Sequence, residues 1–115
     1  MIKKNFKGRC EKRKSSKCQD VLRTYSAVQS AYVDVLEECG DIKEIRCNVF
    51  LDDFSIGEYT SDFVCVKKNG DLMVRECVAR KHLTKPMTVN LLDASREYWK
   101  KHGVVDWGIV IDGEE

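Results

Sequence analysis

The sequence feature that most constrains the fold is an Asn69-Gly70 dipeptide that lies between two strand-like segments. Asn-Gly is typical of tight β-hairpin turns, because both residues tolerate positive φ angles at little cost. The flanking segments, Tyr59 to Lys67 and Leu72 to Ala79, are rich in β-branched, aromatic and other apolar residues. We therefore predict two antiparallel strands joined by this turn.

One further strand is predicted before this hairpin and one near the end of the chain. In Ile42 to Leu51, apolar residues occupy alternate positions from Ile45 onward, which predicts a strand. The segment Val104 to Ile111 is almost continuously apolar, which predicts a strand covered on both faces.

Three helices are predicted from apolar periodicity and from residues that favour helix ends. They are a short helix from Ser15 or Ser16 to Tyr25, a longer one from Ser26 to about Cys39, and one capped by Thr84 with Pro86 in its first turn. Ser26 and Gln29 also have the spacing of a capping box, in which each side chain binds a backbone amide of the first turn.

The main elements therefore run helix, three strands, helix, strand. Three consecutive strands favour an antiparallel meander, and a last strand that follows a helical crossover pairs in parallel. We expect an α/β fold with a mixed four-stranded sheet flanked by helices. A chain of 115 residues is one domain, which we place at residues 18–115, after a basic arm over residues 1–17.

The arm concentrates positive charge. It has eight basic residues and one acidic residue, whereas the whole chain has a net charge of only +1. We expect it to bind DNA phosphates, the alternative being a solvated tail. Its basic residues are Lys3, Lys4, Lys7, Arg9, Lys12, Arg13, Lys14 and Lys17.

The six cysteines and the absence of long apolar runs bear on the compartment. No two cysteines form a C-x-x-C pair, so buried thiols in a reducing compartment are expected, with a zinc site at Cys10 and Cys18 as the alternative. No stretch is apolar enough to cross a membrane. We expect a cytoplasmic, nucleoid-associated protein with no membrane contact.

Two acidic residues lie inside the two predicted strands that flank the Asn69-Gly70 turn, and acids are uncommon in strands. A two-residue turn would point Asp62 away from Glu76, but a three-residue turn of Lys68, Asn69 and Gly70 places them directly opposite. We predict the second register. Two such carboxylates favour Mg²⁺ or Mn²⁺, since these ions prefer hard oxygen ligands. The alternatives are that Asp62 binds loop amides and that Glu76 pairs with a buried Arg or Lys.

This arrangement resembles the PD-(D/E)xK nuclease superfamily, which has a restriction-endonuclease-like αβββαβ core. More closely, residues 26–111 resemble the N-terminal catalytic domain of TnsA, the endonuclease subunit of heteromeric transposases. The matching segments are Ser26-Ala27-Val28-Gln29, Ile42-Lys43-Glu44-Ile45-Arg46-Cys47, Tyr59-Thr60-Ser61-Asp62-Phe63 and Glu76-Cys77-Val78.

The resemblance implies catalytic roles for Gln29, Asp62, Glu76 and Lys81, with Asp62 and Glu76 as metal ligands. Gln29 stands where the family has a helix Glu, and Val78 stands where it has the catalytic lysine. Lys81 or Arg80 could replace that lysine, whereas Arg75 should point to the opposite face. Glu37 or Glu38 could replace the helix acid.

The resemblance thus implies a metal-dependent DNA endonuclease of a mobile element or phage. The alternative is a catalytically inert nuclease fold that binds DNA or a transposase, recombinase or defence-complex partner. A homodimer that cuts both strands by symmetry is left open.

Overall fold

The computed structural model describes residues 11–18 and 21–111. In chain order the elements are β1 (Glu11–Arg13), β2 (Leu22–Thr24), α1 (Ala27–Glu38), β3 (Ile42–Phe50), β4 (Thr60–Lys67), β5 (Leu72–Val78), a 3₁₀ turn (Arg80–His82), α2 (Pro86–Lys101) and β6 (Asp106–Ile111).

Strands β3 to β6 form one mixed sheet in the order β3-β4-β5-β6. The first three strands are antiparallel neighbours, and β6 pairs in parallel with β5. These pairings confirm the predicted α/β architecture, including the meander and the parallel return.

Each face of the sheet has its own apolar core. On the α1 side, Val33 and Leu36 of the helix pack with Phe63 and Cys65 of β4. On the other side, Trp99 of α2 belongs to a second cluster, which contains Val64 of β4 and Val74 of β5. The loop residues Leu51 and Tyr59 also belong to this cluster. The helices therefore cover opposite faces, as expected for a sheet that is apolar on both sides.

The short helix predicted up to Tyr25 is wrong, because this segment contains strand β2, which pairs antiparallel with β1 before it. In β2, Leu22 and Thr24 are buried and Arg23 is exposed, which is the period-two pattern of a strand. At Ser15 the chain turns, since the carbonyl accepts the amide of Cys18 and the hydroxyl accepts the amide of Lys17.

Two details at the end of the chain also differ from the prediction. Helix α2 begins at Pro86 after an N-cap Lys85, so Thr84 is not its cap. Strand β6 is only partly buried, because in the sheet of the described residues it is an edge strand instead of a central strand. In the part of the chain that the structure describes, no helix is long and apolar enough to cross a membrane.

Candidate functional site

Gln29, one of the predicted site residues, lies in the first turn of α1. Ser26 is the N-cap, and its hydroxyl accepts the backbone amide of Gln29 at 3.1 Å. The side-chain Oε1 of Gln29 accepts the amide of Tyr25 at 2.8 Å. The predicted capping interaction is thus present, with its second bond displaced by one residue from the usual box.

The other end of the Gln29 amide joins α1 to the sheet. Its Nε2 donates to Oδ1 of Asn48 in β3 at 3.0 Å and to the carbonyl of Asp62 at 3.4 Å. Asn48 has a φ of +54°, a left-handed conformation that Asn tolerates better than most residues. Its Nδ2 donates to the carbonyl of Arg23 at 2.8 Å, so a chain of amides links β2, β3 and α1.

The β4–β5 turn has the predicted three-residue register. The amide of Lys67 donates to the carbonyl of Asp71 at 2.8 Å, and Gly70 has a φ of +94°. The ladder continues to the Phe63–Arg75 pair, beyond which Asp62 and Glu76 stand opposite each other.

At this point the two acids bind the opposite strand's backbone. Oε1 of Glu76 accepts the amide of Asp62 at 3.1 Å, and Oδ2 of Asp62 accepts the amide of Cys77 at 2.6 Å. Both acids are buried. Asp62 thus accepts a backbone amide, but that amide belongs to Cys77 of β5 and not to a loop as the alternative interpretation expected.

The carboxylate of Glu76 also accepts two hydroxyl groups. Ser61 of β4 and Ser95 of α2 each donate to Oε2 at 2.6 Å. Each serine in turn accepts an indole N–H, from Trp99 at 2.9 Å and from Trp107 at 3.1 Å. We call these five side chains the Glu76 network.

The Glu76 network determines whether the predicted metal pair fits. Three protein donors bind the two oxygens of Glu76. Two of them are the serine hydroxyls, and each of these hydroxyls also accepts an indole N–H. Turning this carboxylate toward a cation would leave buried polar groups without partners, which costs free energy. In this arrangement the pair of Asp62 and Glu76 does not fit a shared Mg²⁺ or Mn²⁺.

Asp62 instead lies on a cavity of about 370 Å³ between the first turns of α1 and α2, and Gln29 and His82 also line it. The rest of the lining is largely apolar and includes Val28, Val78, Leu91 and Leu92. Asp62 is the one acid among these lining residues, and Glu76 is not part of the lining. In the described residues, no group of three or more His, Cys, Asp or Glu side chains could hold a metal ion.

The basic and acidic residues weighed in the sequence analysis as substitutes for the family's lysine and helix acid lie in different places. Lys81 is exposed on the 3₁₀ turn beside the cavity residue His82. Arg75 donates to the carboxylate of Asp106 at 2.8 Å, and the guanidinium of Arg13 lies 3.2 Å from Glu37.

Part of the basic arm is built into the domain. Lys17 donates through Nζ to the carbonyls of Leu36 and Cys39 at the C-terminal end of α1, at 2.9 and 2.8 Å. This is a favourable place for a cation, because the carbonyls at the C-terminal end of a helix carry partial negative charge. Lys12 and Lys14 are exposed. Lys3, Lys4, Lys7, Arg9 and Cys10 lie outside the described residues.

The thiols that the structure describes form no disulfide with one another, and all are at least partly buried: Cys18, Cys39, Cys47, Cys65 and Cys77. Burial raises the pKa of Cys47 and that of Cys65 to about 12. Neither is therefore a thiolate near neutral pH, as expected for thiols that serve as small apolar side chains.

Sequence reasoning missed Asn48 and Ser95 in this region, and it missed the hydrogen bond from Ser61 to Glu76. Ser95 had a visible signal, since it lies four residues before Trp99 on the side of α2 that is buried. No protein-family model matches this chain, and a search of curated proteins finds no match.

Proposed function

We propose that this chain is a DNA-binding domain with a nuclease-like fold, similar to the catalytic domain of TnsA, that does not cleave DNA by itself. The observation that carries the proposal is the Glu76 network, in which one predicted metal ligand serves as a buried structural acceptor. The domain would act in a mobile element or phage, bound to DNA and to a transposase-like partner.

The surroundings of Asp62 support the same conclusion. A hydrolytic site needs groups that bind a cation, activate water and stabilise charge in the transition state. Here Val78 occupies the position of the catalytic lysine and lines an apolar part of the cavity, and the carboxamide of Gln29 is held by Tyr25 and Asn48. These contacts suit a folded scaffold better than a catalytic centre.

Metal-dependent hydrolysis is the second candidate function, and two polar residues of the otherwise largely apolar cavity favour it. Asp62 and His82 line one cavity, and the basic residues Arg80 and Lys81 precede His82 in the 3₁₀ turn. A carboxylate and an imidazole beside basic side chains are the residue types that phosphodiester hydrolysis uses.

One assay separates the two functions. Supercoiled plasmid is incubated with the protein and Mg²⁺ or Mn²⁺, and binding of a DNA duplex is measured in parallel without metal. We expect binding without cutting. The variants Asp62→Ala and, as a matched control on the exposed side of α2, Asp93→Ala accompany the wild type.

Cutting that disappears in Asp62→Ala and persists in Asp93→Ala would overturn the inert assignment in favour of hydrolysis. Absence of both cutting and DNA binding in the folded wild type would overturn the proposed function altogether.

A further inference from the structure

The inner face of the β1–β2 hairpin is occupied by contacts with the rest of the domain. Arg13 donates to Asp34 of α1 at 2.6 Å, and Glu11 accepts the hydroxyl of Ser30 at 2.6 Å. On the paired strand, Leu22 and Thr24 are buried. The hairpin is thus fixed to the domain through one set of alternating residues.

The outer face of the hairpin presents the intervening residues, and both of them are basic. Lys12 and Arg23 are exposed and are direct partners in the antiparallel register. Like charges directly opposite each other destabilise a strand pair. Among the ion pairs of the described residues, none involves Lys12 or Arg23.

Basic residues continue from this pair onto the neighbouring surface. Lys14 is exposed just after β1, and Arg46 of β3 lines with Arg23 a groove of about 510 Å³ between the hairpin and the sheet. The acid in this groove, Glu44, forms an ion pair with Arg46 at 2.9 Å. Within residues 11–18 and 21–111, the outer pair of Lys12 and Arg23 is therefore the part of this surface without an ion-pair partner.

The same hairpin has a fixed position relative to the Asp62 cavity. The carbonyl of Arg23 accepts Nδ2 of Asn48, and Oδ1 of Asn48 accepts Nε2 of Gln29, which lines that cavity. A strand of nucleic acid seated on the hairpin would thus be held at a set distance from the cavity.

We propose that Lys12 and Arg23 form a contact surface for the phosphate backbone of duplex DNA. The inference rests on the proposed DNA-binding function and deepens it. It assigns a DNA contact to Arg23, which lies outside the basic arm. It excludes Arg13 and Lys17 from the DNA contacts predicted for the arm, because their cationic groups are bound to α1. A polyanion between Lys12 and Arg23 turns their mutual repulsion into a shared attraction.

Single charge reversal tests the surface, because the effects on stability and on binding have opposite signs. Lys12→Glu places opposite charges across the hairpin, so we expect the thermal midpoint to stay unchanged or to rise. Affinity for a fluorescent 20-base-pair duplex, measured by anisotropy in EDTA, should fall at least tenfold. In the double variant Lys12→Ala/Arg23→Ala, the slope of log affinity against log salt should become less steep by about 2.

The control is Arg96→Glu, the reversal of an exposed basic residue on α2, for which we expect less than a twofold loss of affinity. Wild-type binding that Lys12→Glu leaves unchanged would overturn this surface while the proposed function stands. Absence of binding by the wild type would instead overturn the proposed function. Tighter binding of an RNA duplex of the same length would overturn the assignment to DNA.

Discussion

At the scale of single residues, Glu76 shows how an acid can be stable inside a protein core. A buried carboxylate is costly unless hydrogen bonds replace its hydration. Ser61, Ser95 and the amide of Asp62 supply those bonds, and the two serines are themselves oriented by indole N–H groups. Glu76 therefore ties β4, β5 and α2 together at one carboxylate.

Removing that carboxylate should destabilise the fold. Glu76→Ala leaves two hydroxyls and one amide without their acceptor, so we expect the free energy of unfolding to fall by about 2–4 kcal/mol. Urea unfolding followed by tryptophan fluorescence measures this, because Trp99 and Trp107 are the only tryptophans in the chain. The matched control is Glu58→Ala at an exposed position. Equal stability of the two variants would show that the Glu76 network contributes nothing to the fold.

At the scale of elements, the turn between β4 and β5 determines which residues face each other. Gly70 in the left-handed region completes a three-residue turn that brings Asp62 opposite Glu76. A turn one residue shorter would move one strand by one position and send its side chains to the other face. The position of both acids thus depends on the backbone conformation of one glycine.

Gly70→Ala should cost about 1 kcal/mol of stability, because an L residue is strained at this positive φ. An added Cβ at Gly70 would meet no heavy atom within 4 Å, so the cost comes from the backbone alone. Gly40→Ala is the control, since its Cβ also meets nothing within 4 Å and its φ lies outside the positive range. Thermal unfolding of both variants measures the difference, and equal midpoints would contradict the turn geometry.

At the scale of the whole molecule, Asp106 connects three strands of the sheet. Its carboxylate lies 2.5 Å from Nζ of Lys67 in β4 and 2.8 Å from the guanidinium of Arg75 in β5, while Asp106 itself begins β6. The hydrogen bond from Lys67, followed by that from Arg75, holds the pKa of Asp106 below its usual value. These two ion pairs join β6, the edge strand that follows α2, to β4 and β5 of the meander.

The lowered pKa predicts how stability depends on pH. The contribution of Asp106 is fully present above its unfolded pKa of about 4, and it is lost as the pH falls through the lower folded value. The difference in stability between wild type and Asp106→Asn should therefore be largest near pH 7 and shrink below about pH 4. Urea unfolding at several pH values tests this, with Asp52→Asn at an exposed position as control. A difference that stays constant down to pH 2 would contradict the assignment.

The sequence was sufficient to predict the sheet, because its main signals are local. Alternation of apolar residues indicates β3, the Asn69-Gly70 turn joins β4 to β5, and Pro86 indicates the start of α2. The β1–β2 hairpin was missed because its strands are only three residues long. All three residues of β1 are charged, and Leu22 is the single apolar residue of β2, so neither strand has a readable alternation. The direction of Glu76 could not be predicted, because it depends on Ser95, which is distant in the chain. The register of β4 and β5 determines that Asp62 lies opposite Glu76, but it does not determine which hydrogen-bond donors bind the two carboxylates.

The amide chain from Gln29 through Asn48 to Arg23 has a consequence for how this sequence can evolve. A Glu at position 29 would place a carboxylate oxygen, instead of an N–H donor, against Oδ1 of Asn48. Rotating the Asn48 amide would turn its Nδ2 toward the carboxylate, but it would break the hydrogen bond from Nδ2 to the carbonyl of Arg23. The two positions are therefore epistatic. Gln29→Glu alone should therefore cost stability, and a compensating substitution at position 48 should reduce that cost.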